Sequence, residues 1–181
     1  VMFASAAQRL IRLYGVKPGK RAVILAANDG GYGAALDLLE IGVAVTAIVD
    51  LRTHPRPSEL TRAVERAGVA IITGHAVKEA IAGPNKTGIT GAIVAPIVGE
   101  GALGVATRSL DCDLLLMSVG CSPAGQLLHH AGAKFAYDRA SHMYRPDVLP
   151  PHVFAAGAVN HAHALAAVLA DGERAGHLAA R

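Results

Sequence analysis

Between the apolar run Arg21-Ala-Val-Ile-Leu25 and an Ala- and Leu-rich segment lies Ala26-Ala-Asn-Asp-Gly-Gly-Tyr32. A glycine-bearing turn from strand into helix can seat a pyrophosphate, because unpaired N–H groups at the helix start point at it. In the dinucleotide pattern G-x-G-x-x-G the first glycine makes the turn and the second lets the backbone approach the diphosphate. The third lets helix and strand pack closely. Here the best register is Ala26-x-Asn28-x-x-Gly31. Ala26 can make the turn and Gly31 the packing, but Asn28 puts a side chain where a diphosphate would lie, and Asp29 would repel it. Asn tolerates unusual backbone angles, so the turn itself survives. Asp50 ends the next apolar run, about twenty residues on, where an acid would hold adenosine ribose hydroxyls. Arg52, close by, suits a 2′-phosphate instead. The candidate binding set in this region is Asn28, Asp29, Gly30, Gly31, Tyr32, Asp50 and Arg52. The same residues read equally well as a tight turn with Asp50 capping a strand.

The elements that must position these groups follow from pattern and punctuation. Phe3, Ala7, Leu10, Ile11 and Tyr14 recur at helical spacing, and Lys17-Pro18-Gly19-Lys20 is a turn. Apolar, β-branched runs predict strands at 21–27, 43–50 and 69–73. A helix over 31–41 stops at Gly42, and a second helix, capped by Ser58, stops at Gly68. This β-α-β-α-β succession with short loops predicts a parallel sheet. Residues 75 to 97 then read as an antiparallel hairpin around Gly83-Pro84-Asn85 lying over that sheet. Beyond it come a buried strand within 111–120, a short helix over 123–131, and strands at 134–138 and 152–157. A final Ala-rich helix spans 160–180, interrupted near Gly172. The fold class is α/β: a Rossmann-like three-layer arrangement with a hairpin crossover and part of a second nucleotide-binding lobe.

Bulk properties exclude several functions. The chain has 181 residues, 52% hydrophobic and 17% charged, which is the composition of a well-buried protein. A net charge of +3 with scattered Lys and Arg, and 4% aromatics, argues against nucleic-acid binding. Mean hydropathy is positive, yet polar residues, Gly or Pro interrupt every apolar run before it could span a bilayer. Cys112 and Cys121 form no CxxC, which fits two reduced thiols in a cytoplasmic protein. The start lacks the basic region and cleavage site of a signal peptide, and its direct opening in a helix suggests a piece of something longer.

A second constellation lies further on. "DLLLMSVGCSPAGQLL" is a strand ending in Ser118-Val119-Gly120, and "VFAAGAVNHAHALAAVLADGERAG" is a strand, a Gly turn and a long helix. Together they resemble the closing half of the two-dinucleotide-fold flavoproteins, the pyridine nucleotide–disulfide oxidoreductase superfamily. In that superfamily Gly-Asp precedes the last helix; here Ala158 replaces the aspartate, removing a flavin contact. Gly120, Gly157, Ala158 and Asn160 are the candidate residues of this half-site.

A closer resemblance, over essentially the whole chain, is to the alpha subunits of heterotetrameric sarcosine oxidases. It is carried by "VMFASAAQRL", "GVKPGKRAVILAANDGGYGAALDL", "VTAIVDLR", "SVGCSPAGQLLHHAGAKFAYD" and the final segment quoted above. That resemblance implies oxidative demethylation of sarcosine or a related amine, with tetrahydrofolate accepting the one-carbon unit. It implies NAD on the alpha subunit, flavin only in the full complex, and a flavin-bearing beta subunit as partner. By the same resemblance residues 1–20 belong to the first, FAD-like lobe, 21–110 form an inserted NAD(P)-binding-like lobe, and 111–181 close the first. The implied role here is binding and assembly without a catalytic side chain, and the isolated chain is expected to be inactive and flavin-free. Loop chemistry favours Gly157 to Asn160, completed by a glycine fingerprint outside this sequence, as the NAD site over the first loop. The alternative is an autonomous nucleotide-sensing or interaction module without redox activity.

Other groups carry less. Neither His129-His130 nor His161-x-His163 has the i, i+4 spacing of a helical metal pair. Ser118 and Ser122 lack a nucleophile elbow, and Asp111 and Asp113 read as solvated edge charges.

Overall fold

The computed structural model describes residues 1–120, 122–139 and 143–180, which fall into two compact units, Val1–Gly120 and Cys121–Arg181. Unit 1 begins with β1 (Met2–Phe3), α1 (Ala4–Tyr14), β2 (Arg21–Ala26), α2 (Gly30–Glu40), β3 (Ala44–Asp50), α3 (Glu59–Arg66) and β4 (Ala70–Thr73). It continues through β5 (His75–Ala82), β6 (Ile89–Gly99), β7 (Ala102–Leu103), β8 (Arg108–Asp111) and β9 (Leu114–Ser118). The parallel sheet is ordered β1-β9-β2-β3-β4. β5 and β6 form the expected antiparallel hairpin, and β8 and β7 also pair with β6. Asn85, at φ 55°, turns the hairpin. At Gly83 a Cβ would lie 2.6 Å from the Thr87 carbonyl oxygen, so the turn needs glycine there.

Side-chain alternation along the parallel strands builds two cores, one on each face. Ala22, Ile24, Ile48, Leu114 and Leu116 pack with Ala7 and Ile11 of α1, Leu38 of α2 and Val64 of α3. Val23, Ala47, Val49 and Leu115 point the other way, onto Ala92, Val94, Leu110 and Cys112 of the antiparallel layer. Helices, parallel sheet and antiparallel sheet make the three layers. Ser58 caps α3 as expected, accepting from the Thr61 N–H, and Thr61 Oγ1 reciprocally accepts from the Ser58 N–H. Helix α1 buries Ala4, Ala7 and Ile11, leaving Phe3 and Tyr14 exposed. Gln8 and Arg12 on its adjoining surface bond Asp37 of α2.

Unit 1 extends to both sides of residues 21–110. β9 pairs with β2, and β1 pairs with β9, so residues at both flanks complete the same sheet. Asp113 does more than sit at an edge: its carboxylate accepts from the Lys20 and Arg21 N–H groups and fixes the start of β2.

Unit 2 holds α4 (Gln126–His130), β10 (Lys134–Asp138), β11 (Met143–Val148) and α5 (Leu165–Ala179). Pro123 and the backbone at Gly125 delay α4 relative to the expected helix. β10 forms as expected, pairing antiparallel with β11, a strand not anticipated because Pro146 interrupts it. The strand expected at 152–157 is absent: His152 adopts φ 63°, Val153 N–H bonds back to Pro150, and Gly157–Asn160 is a 3₁₀ turn. Consequently α5 starts at Leu165 rather than Asn160, and it runs unbroken through Gly172.

Candidate functional site

The carboxyl ends of the parallel strands lie level, because Ala26 pairs with both Asp50 and Ser118, and Asp50 pairs with Thr73. That edge is where α/β sheets bind ligands. Helix α2 springs from it at Gly30. A Cβ on Gly31 would lie 2.8 Å from that of Ala26, so Gly31 permits the close helix–strand approach assigned to the third glycine. Asn28 fills the place of the second. Its Oδ1 accepts from the Gly30 N–H at 3.0 Å and from the Ser118 hydroxyl at 2.9 Å, so the side chain answers a donor that a phosphate would need. Ser118, ninety positions away, ties β9 to the loop, and its carbonyl also accepts from Ala27 N–H. Gly120, two residues beyond, has φ 151° and open space at its Cβ position.

Asp50 is fully buried, and four hydrogen bonds saturate it. Oδ1 accepts from the Arg52 N–H (2.9 Å) and Nε (3.0 Å); Oδ2 accepts from Arg52 Nη2 (2.8 Å) and the Tyr32 hydroxyl (2.7 Å). Arg52 Nη1 reaches on to Asp29 at 3.1 Å, and its guanidinium carbon lies 6.0 Å from the Tyr32 ring centroid. Burial alone would raise the Asp50 pKa, but the bonds from Arg52 and Tyr32 outweigh it and hold the carboxyl below its ordinary value. Burial and the neighbouring Asp50 push the Tyr32 phenol up, and Asp50 pushes the Arg52 guanidinium up. The expectation that Asp50 offers acceptors to a ribose meets a carboxylate with no free lone pair. Asn28, Asp29 and Arg52 line a cleft of about 510 Å³ with Thr53, His54 and Arg56. In this arrangement the loop keeps the Rossmann turn, and the Gly30 N–H and the Asp50 carboxylate already have partners within the chain.

In unit 2 the Gly157–Asn160 turn is likewise answered from within. Asp171 of α5 accepts from the Gly157 N–H (2.8 Å) and the Asn160 amide (3.0 Å), and Arg174 pairs with its other oxygen. These bonds draw the Asp171 pKa down to about 2, the Arg174 contact contributing most. The Ala158 carbonyl accepts from His161 N–H, and the methyl side chain offers no acceptor. With Ala158 in place, this turn lacks a carboxylate at that position, and its Gly157 N–H is engaged by Asp171. His161 takes φ 62°, and its buried Nε2 has no partner among the described residues.

Among the described residues, no group of three or more His, Cys, Asp or Glu could hold a metal, and no helix is long and apolar enough to cross a membrane. His129 stacks on Phe135. Burial, then Asp113 and Asp111, push the Cys112 thiol up, which disfavours the thiolate; Cys121 lies outside the described residues. The bonds that close the first loop have no local signal in the sequence. Ser118 and Tyr32 were each visible as residues, but nothing local pointed the hydroxyl of either at its partner.

The parallel sheet with its antiparallel layer has the fold of thioredoxin reductase structures. The structure of T. acidophilum thioredoxin reductase matches with a TM-score of 0.66 at 20% identity, covering 98% of this chain and 56% of that one. Lactococcus lactis thioredoxin reductase gives 0.64 at 17% identity, over 99% and 56%. Bacillithiol disulfide reductase Bdr from Staphylococcus aureus gives 0.61 at 13%, over 90% and 50%. No protein-family description matches the sequence. One curated relative is sarcosine oxidase subunit alpha of Rhizobium meliloti (strain 1021), 35% identical over 134 residues, which is 74% of this chain and 12% of the relative. The chain therefore spans about an eighth of that relative's length.

Proposed function

We propose that this chain is the nucleotide-fold portion of an oxidoreductase of the sarcosine oxidase alpha-subunit kind, with a role in binding and assembly and no catalytic side chain of its own. The observation that carries the reading is the length of the match. Its 134 residues exceed the 120 of unit 1, so one continuous similarity includes parts of both units. On this reading unit 2 is the closing part of a second nucleotide fold, completed by polypeptide beyond this chain. α5 supports that role, since it buries none of its own residues and exposes Leu165 and Leu169 one turn apart. NAD belongs to the completed fold containing Gly157, Ala158 and Asn160, where added polypeptide supplies the phosphate-binding glycines. Flavin and amine oxidation belong to the full complex with a flavin-bearing subunit.

The test is to produce the full-length protein with its partner subunits and measure sarcosine-dependent formaldehyde release. Release that requires sarcosine or a related N-methyl amine supports the reading. A flavin-loaded complex inert toward every such amine contradicts it.

A further inference from the structure

We propose that Arg52 lowers the affinity of the first strand-end loop for a dinucleotide, acting as an internal competitor for the ribose acceptor. This rests on the nucleotide-fold reading above and adds a residue to it. The Arg52 side chain supplies one bond to each oxygen of Asp50, Nε to Oδ1 and Nη2 to Oδ2. Removing that side chain leaves Asp50 with the Arg52 N–H on one oxygen and the Tyr32 hydroxyl on the other. One acceptor position then opens on each oxygen, which is what the two hydroxyls of a ribose require from a single carboxylate. The opening faces the cleft, because Arg52 lines it and its side chain is 30% exposed while Asp50 lies fully buried behind it. The salt bridge to Asp29 anchors the competitor across the mouth of the loop.

The experiment titrates NAD into this 181-residue chain by calorimetry. The unmodified chain is expected to show no saturation below about millimolar NAD, and Arg52→Ala to bind at least about tenfold more tightly. Arg52→Ala combined with Asp50→Asn is expected to return to the unmodified level. Ethylguanidinium added to Arg52→Ala refills the vacated position and is expected to weaken NAD binding. A folded Arg52→Ala chain with unchanged NAD affinity overturns the proposal, as does a gain that survives Asp50→Asn. Should Arg52→Ala not fold, Arg52→Gln, which leaves Asp50 a neutral donor, carries the same test with a smaller gain expected and no gain as the contrary result. Sarcosine turnover in the full complex without any gain for the Arg52 variants would sink this proposal and leave the functional reading intact. A gain without amine oxidation would do the reverse.

Discussion

The two half-sites close themselves in different ways. In unit 1 the polar groups at the strand ends are answered by Asn28, Arg52 and Tyr32, held between two apolar cores. In unit 2 a single carboxylate, Asp171, serves both Gly157 and Asn160 from a helix that buries nothing. A site built on a packed sheet keeps its geometry by itself. Among the described residues, the unit 2 turn has no such apolar layers around it and takes its geometry from the Asp171 bonds.

The largest effects should fall in the core beneath the first loop. Leu38→Ala empties a fully buried position on α2 and is expected to cost about 2–5 kcal/mol in a denaturant titration of unit 1. Tyr32→Phe removes a hydrogen bond to a buried carboxylate and should cost about 1.5–3 kcal/mol. Acid sharpens the same point. The folded Asp50 carboxyl is a stronger acid than the unfolded one, so the unfolded chain takes up the proton first. Its contribution is fully present above the ordinary value of 3.8 and is lost as pH falls below it. In unit 2 the corresponding window for Asp171 runs from 3.8 down to about 2 and should show as loss of Gly157 amide protection in hydrogen exchange. The smallest effect is expected at Leu169→Ala, 64% exposed on α5, within about 0.5 kcal/mol in this chain. A loss comparable to that of Leu38→Ala would break the contrast between the two units.

What the sequence made readable was whatever short-range chemistry decides. Ser58 capped its helix, Gly31 packed against Ala26, and Gly83-Pro84-Asn85 turned the hairpin, each from residues a few positions apart. The candidate site was readable as a place but not as a state. Whether Asp50 is open depends on how Arg52 folds back over it and on a Tyr32 hydroxyl 18 residues away, and Asn28 is fixed by Ser118 across 90 residues. β11 escaped because Pro146 argues against a strand in any local reading, while pairing with β10 tolerates it. The 152–157 run looked extended by composition, but the left-handed backbone at His152 breaks it.

The central claim is that the first loop keeps a nucleotide-fold turn whose binding groups are already taken by the chain itself. NAD titration of the unmodified chain tests it most directly. The account predicts little heat and an affinity no tighter than about millimolar, because a ribose must displace Arg52 from Asp50 and a diphosphate must displace Asn28 from Gly30. Micromolar binding that disappears in Asp50→Ala would contradict it.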